Sequence, residues 1–193
     1  NLNGSCIEAQ NMTMGSISHC YFLYSGRTDH PAVYLNSLVY GTVQSTSFAH
    51  CKVEVCFDEP YVKLAGGAST KITSCGFESH STPTGGAGVL SATGQTFIAI
   101  SGTGGVHFVD DCHFSRTTGT AITITASTNP NLIRNSRFAI TEGMCIETDS
   151  ASQEQTVNNC VFYSGGSDDY AVKLGGTGCE IIDSQFRATT GVK

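Results

Sequence analysis

The chain's 193 residues leave room for one domain of ordinary size. Hydrophobic residues make up 39% and charged residues 13%, a balance that excludes a disordered chain or a coiled coil. Lys and Arg number 10 against 16 Asp and Glu, a net charge of −6, which argues against a surface built to collect nucleic-acid phosphates.

No apolar run approaches the roughly 18 residues that span a bilayer, and the stretch from Asn1 lacks the basic-then-apolar profile of a signal peptide, so no membrane insertion is expected. The 9 cysteines are odd in number and contain no Cys-x-x-Cys pair, which fits neither a disulfide scaffold nor a zinc ribbon. Free thiols are expected, Cys75 and Cys112 included.

Two short phrases alternate along the chain. In order they are Cys6-Ile-Glu-Ala9 then Ile17-Ser-His-Cys-Tyr-Phe22; Ala32-Val-Tyr-Leu35 then Val43-Gln-Ser-Thr-Ser-Phe48; and Tyr61-Val-Lys-Leu64 then Ile72-Thr-Ser-Cys-Gly-Phe77. They continue as Gly88-Val-Leu-Ser91 then Val109-Asp-Asp-Cys-His-Phe114; Ala121-Ile-Thr-Ile124 then Ile133-Arg-Asn-Ser-Arg-Phe138; Cys145-Ile-Glu-Thr148 then Val157-Asn-Asn-Cys-Val-Phe162; and Ala171-Val-Lys-Leu174 then Ile181-Ile-Asp-Ser-Gln-Phe186. Alternation over a few residues is the strand signal, and Pro31, Pro60, Gly86, Gly119 and Gly143 mark turns before five of the short strands.

The Phe-to-Phe spacings of 26, 29, 37, 24, 24 and 24 residues fall in the solenoid range. With 22 glycines and β-branched residues at the repeating places, the solenoid is β rather than α. Stacked rungs of two or three strands each, about 4.8 Å apart, put like residues on like. Three inward columns are expected: Ile7/Val33/Val62/Val89/Ile122/Ile146/Val172, Ile17/Val43/Ile72/Val109/Ile133/Val157/Ile181, and Phe22/Phe48/Phe77/Phe114/Phe138/Phe162/Phe186. Three places before each Phe stand His19, Ser45, Ser74, Asp111, Asn135, Asn159 and Asp183, residue types that suit a bend, with Asn135 and Asn159 placed to bond one another up the stack. The 37-residue spacing holds a long stretch, Ala92 to Gly105, which is either an inserted loop or an extra strand, and Cys51 to Glu59 reads as a second excursion between rungs. Gly191-Val192-Lys193 reads as the opening of another strand and no cap is visible at either end, so the chain is expected to be one β-helix domain cut from a longer protein.

The phrase Ile/Val-x-Asn/Asp-Cys/Ser-x-Phe, alternating with small-Val-x-Leu from about Cys6 to Phe186, resembles the single-stranded right-handed parallel β-helix of the pectate-lyase-like superfamily. The Asn-Thr-Asp and Gly-His-Gly motifs of polygalacturonases and the paired Arg and Asp ligands of pectate lyases are not recognisable. Within the superfamily the chain is most similar to the shaft of a bacteriophage tailspike. That resemblance implies a virion protein acting outside the cell at the host surface, a homotrimer, binding bacterial surface polysaccharide and in many cases cleaving it. Two other readings stand beside it: a cellular pectin- or glycan-active lyase or hydrolase, and a purely structural or adhesive β-helix.

Chemistry on such a fold belongs to outward columns and loops. The outward place of the short phrase reads Glu8, Tyr34, Lys63, Leu90, Thr123, Glu147, Lys173, with Asp149 two residues after Glu147. Alternate strand residues lie roughly 6.5–7 Å apart, within the separation of about 6.5–9.5 Å at which two carboxylates fit a water for glycoside hydrolysis with inversion. Glu147 and Asp149, with Asp168 and Asp169 in the next loop, are therefore the candidate catalytic acids, and Tyr34, Tyr170 and Lys173 the candidate sugar contacts. The competing reading pairs Glu147 with Lys173 one rung on and turns the loop acids onto their own backbone. Trp is absent, leaving Tyr21, Tyr34, Tyr61, Tyr163 and Tyr170 as stacking platforms. His107-Phe-Val-Asp110-Asp111-Cys112-His113 gathers metal-ligating residue types, but alternation sends their side chains apart, so neither a metal nor another cofactor is expected.

Overall fold

The computed structural model describes residues 6–10, 15–23, 31–37, 45–54, 60–66, 69–79, 96–115, 119–140, 143–164 and 170–187. All regular structure among them is β, so no helix is long and apolar enough to cross a membrane. The strands form three parallel sheets of seven strands each, and every rung contributes one strand to each sheet: this is a parallel β-helix of seven rungs. The first sheet runs Ile7–Gln10, Val33–Ser37, Val62–Gly66, Ile98–Ser101, Ile122–Thr125, Ile146–Thr148 and Val172–Lys173. The second runs Gly15–Ser18, Ser45–Ala49, Ser69–Thr73, His107–Asp110, Leu132–Arg134, Thr156–Asn158 and Glu180–Ile182. The third runs Tyr21–Leu23, Lys52–Glu54, Gly76–Glu78, His113–Ser115, Arg137–Ile140, Val161–Ser164 and Gln185–Phe186.

A single residue in the left-handed region turns the chain from the second sheet into the third. His19, His50, Ser74, Asp111, Asn135, Asn159 and Asp183 all sit there, with φ between 48° and 55°. The conformation costs an L-residue roughly 1–2 kcal/mol, least for Asn and Asp, which bond locally. Asn159 Nδ2 donates to Asn135 Oδ1 at 2.8 Å and Asn135 Nδ2 to Asp110 Oδ1 at 2.8 Å, so the corner amides do continue up the stack.

The small residue after each corner has two duties. The thiols of Cys51, Cys75, Cys112 and Cys160 donate to carbonyls two residues back at 3.2–3.3 Å. In turn, the backbone N–H of Cys51, Cys112 and Cys160 donates to the Cys75 Sγ, Ser136 Oγ and Ser184 Oγ of the next rung. A small side chain with a donor and a lone pair fits this place, which is why Cys and Ser alternate in it. The eight described cysteines carry no disulfide, and burial pushes the Cys51 and Cys160 thiols up to about 11 and Cys145 to about 12.

Two registers differ from the expected columns. Phe48 pairs with Ile17 and Ile72 in the second sheet, and Val53 takes its expected place between Phe22 and Phe77. The corner of that rung is His50 rather than Ser45, and Phe48-Ala-His50-Cys51-Lys-Val53 has the rung's spacing with aliphatic and aromatic residues exchanged. Lys52–Glu54, expected to open an excursion, is thus the third-sheet strand of its own rung, and residues 55–59 lie outside the described residues. In rung 4 the first-sheet strand is Ile98–Ser101, paired with Val62–Ala65 and Ile122–Thr125, so Ile98 holds the place expected of Val89. Val43, Val89 and Leu90 lie outside the described residues. The aromatic column is continuous from Phe77 through Phe114, Phe138 and Phe162 to Phe186, with ring centroids 4.7–5.1 Å apart and planes within 17° of parallel.

Candidate functional site

The first and third sheets each carry a groove. On the first sheet the outward column is Glu8, Tyr34, Lys63, Ala99, Thr123, Glu147 and Lys173, and a groove of about 520 Å³ is lined by Thr123, Thr125, Glu147, Asp149, Ser150 and Lys173 among others. Lys173 Nζ donates to Glu147 Oε1 at 2.7 Å, and this bond and the charge beside it raise the ammonium above its usual range. Gly175 N–H donates to the buried Thr148 Oγ1 at 2.8 Å, and a Cβ on Gly175 would lie 2.6 Å from the Thr148 carbonyl oxygen, so only glycine lets rung 7 settle on rung 6 here.

Asp149 stands just past its strand and turns back to the corner below. Its oxygens accept from Ala126 N–H at 3.0 and 3.2 Å and from Ser152 Oγ at 2.7 Å. Desolvation works to raise this carboxyl, but the hydroxyl and backbone donors outweigh it and hold the group below the usual carboxylate range. The partner it fixes, Ala126, has φ of 51°, so the acid stabilises a left-handed bend in a residue that has no side-chain means of doing so. Tyr34 is half-buried with Lys63 Nζ 5.7 Å from its ring centroid, Tyr170 is half-buried before the fully buried Ala171, and Tyr61 is buried outright and cannot serve as a platform. Asp168 and Asp169 lie outside the described residues.

The His107-to-His113 stretch is dispersed over a strand, a corner and the interior. His107 is 3% exposed, its Nδ1 has no hydrogen-bond partner, and burial pushes the imidazole down to about 4. Asp110 binds Arg134 at 2.7 Å, Asp111 accepts from Ser74 Oγ at 2.7 Å, and Cys112 points inward. Among the described residues no three His, Cys, Asp or Glu side chains gather in a way that would hold a metal ion.

The third sheet carries a further groove, about 530 Å³, walled by Lys52, Glu78, His113 and Arg137 over a floor of Gly76, Ser115 and Ala139. Its outward columns follow from the register: Tyr21, Lys52, Gly76, His113, Arg137, Val161, Gln185 in one, and Leu23, Glu54, Glu78, Ser115, Ala139, Tyr163 in the other. At the N-terminal end Lys52 bonds Glu54 and lies 3.8 Å from Glu78, while Tyr21 donates its hydroxyl to Glu54, so the cation there has carboxylate partners. The C-terminal end differs. The Arg137 guanidinium lies 4.8 Å and that of Arg187 5.4 Å from the centroid of the Tyr163 ring, one from the rung below and one from the rung above. Neither guanidinium is paired with a carboxylate among the described residues.

Comparison of the chain with family models, curated proteins and solved structures gives no match. Sequence reasoning named Tyr163 as a platform but missed Arg137 and Arg187. The signal was present: each flanks an inward Phe, so alternation turns it outward, but their meeting at one ring depends on a register that joins residues 24 and 26 apart.

Proposed function

We propose that this β-helix is the shaft of a tailspike-like receptor-binding protein of a bacteriophage, trimeric in the virion, which holds bacterial surface polysaccharide on its outer faces. The observation that carries the reading is the third-sheet groove. It is shallow, runs across the stacked rungs, has a floor of Gly76, Ser115 and Ala139 on which a pyranose ring can lie close to the backbone, and is edged by the hydrogen-bonding side chains of Lys52, Glu78, His113 and Arg137, with Tyr163 one rung beyond Ala139 in the same outward column. A regular lattice with a repeat of about 4.8 Å suits an extended polymer better than a compact metabolite.

Binding without cleavage is favoured on the first sheet by one specific feature: Glu147 is engaged by Lys173, and Asp149 is spent on the Ala126 bend. A hydrolytic role would require the Glu147–Lys173 pair to open on substrate, leaving Glu147 as one acid of the pair. The test uses the purified chain against an array of bacterial capsular and O-antigen polysaccharides. Retention of at least one polymer, weakened several-fold in Tyr163→Ala, is the expected result, and sedimentation should show three chains per particle. No retention of any polymer would overturn the reading. Release of reducing ends, lost in Glu147→Gln, would convert the adhesive reading into the catalytic one.

A further inference from the structure

The Arg137–Tyr163–Arg187 cluster says more about the ligand than that it is a polysaccharide. A guanidinium drawn to a phenol ring by cation–π attraction still carries up to five N–H donors in a planar fork. Two such groups meet at one ring here, both exposed, neither paired with a carboxylate among the described residues. Both are rooted on the rigid part of the fold. Arg137 precedes Phe138 in its strand, and Arg187 N–H donates to the Phe162 carbonyl at 2.8 Å, so each stem leaves from backbone fixed by the aromatic column.

Two cations sharing one tyrosine repel each other in the free protein, and the cluster sits on a chain whose net charge is −6. Local cation density on an acidic protein marks where an anion is received. At the other end of the same sheet Lys52 already has Glu54 and Glu78, whereas among the described residues Arg137 and Arg187 at the Tyr163 end have no carboxylate partner. His113 borders the groove beside Arg137; burial first and then the guanidinium's charge push its imidazole below the usual range, which leaves the arginines as the anion donors.

We infer that Arg137 and Arg187 receive the carboxylate of an acidic sugar, of the uronic-acid class, while its ring lies on the Ser115–Ala139 floor. A carboxylate matches the planar fork with two parallel N–H···O bonds. Its single charge also suits a groove that contains Glu78, which a dianionic phosphate would meet with greater repulsion. The inference rests on the polysaccharide reading and narrows it to acidic polymers.

The experiment sorts the same array of capsular and O-antigen polysaccharides by acid content. The polymers retained should be those carrying carboxylates, and Arg137→Gln and Arg187→Gln should each weaken retention about tenfold, the loss of one charge-assisted hydrogen-bonded contact. Both side chains are exposed, so the melting temperatures of the variants should match the parent. Free glucuronate should compete, glucose should not, and raising the salt from about 0.02 to 0.2 M should weaken retention as the charges are screened. Retention of neutral polymers only, or of acidic polymers undiminished in both variants, overturns the inference while the polysaccharide reading stands. Competition by sulfate or phosphate but not by glucuronate overturns the assignment to a carboxylate. An array with nothing retained removes both readings.

Discussion

The interior of the β-helix is filled in two opposite ways. Along the third sheet the column is dry and aromatic, five near-parallel rings from Phe77 to Phe186 held by burial and stacking. Along the start of the second sheet the inward column is polar: Thr46, Thr70, His107, Asn131 and Gln155 are all buried. There Asn131 Nδ2 donates to Gln155 Oε1 at 2.7 Å and to Ser127 Oγ at 2.9 Å, while its Oδ1 accepts His107 N–H at 2.9 Å. A repeating chain therefore builds a stack either from surface removed from water or from side chains that satisfy one another, and the two should fail differently.

The largest expected effect is on the dry side. Phe138 is fully buried, 4.7 Å from Phe114 and 5.0 Å from Phe162, and Phe138→Ala should cost about 3–5 kcal/mol in denaturant unfolding, transfer and cavity included. An unchanged melting temperature would show that the stack is not a core.

Next is a pH dependence that only the polar side can supply. His107 titrates at about 4 when folded and at 6.5 when free, so the unfolded chain binds the proton first as pH falls. Stability is full above pH 6.5 and is lost by about 3 kcal/mol on descent to pH 4. The lowered carboxylates Asp110 and Asp149 lose their contribution only below the ordinary carboxylate range, about pH 4, so most of the slope between pH 6.5 and 4.5 belongs to imidazole. His113, lowered too, adds a smaller part. Unfolding measured at pH 7 and 4.5 should show most of this slope vanish in His107→Asn and persist in His113→Asn.

Asn131→Ala tests the polar stack without titration. It strands the His107 N–H and one end of Gln155, and a loss of about 1–3 kcal/mol is expected at pH 7, accompanied by faster amide exchange at His107. A neutral result would mean that water replaces the amide. The smallest effect belongs to the surface: Lys173→Met breaks an exposed ion pair and should leave the melting temperature unchanged while freeing Glu147.

The rung repeat was legible because burial acts on every rung alike. The β-branched residue five places before a Phe and the small residue two before it mark strand, corner and strand in six of the seven rungs. It misled at rung 2, where Phe48 and Val53 exchange columns. A column requires only apolar volume, so the identity of the aromatic is a weaker guide than its distance from the left-handed corner at His50. Rung 4 was misread for a related reason: Val89 and Ile98 both follow turn residues and both alternate, and only pairing with Val62 and Ile122 distinguishes them. At the candidate site, the outward place of Glu147 and its Lys173 neighbour was readable from alternation, but Asp149's return to Ala126 was not, since that bond joins residues 23 apart across a bend.

By itself the sequence determined the architecture: a parallel β solenoid of seven turns with a polar corner and an aromatic column, all consequences of periodic burial that any rung states for the rest, while the third strand of each rung came from the structure. Only the tertiary structure decided which outward charges are neutralised and which are free. Lys173 closes on Glu147, whereas Arg137 and Arg187 meet at Tyr163 with no carboxylate opposite them among the described residues. Burial is a property of each residue's own strand, but charge pairing is a property of neighbours two dozen residues away, brought within a few ångströms by the register of stacked rungs.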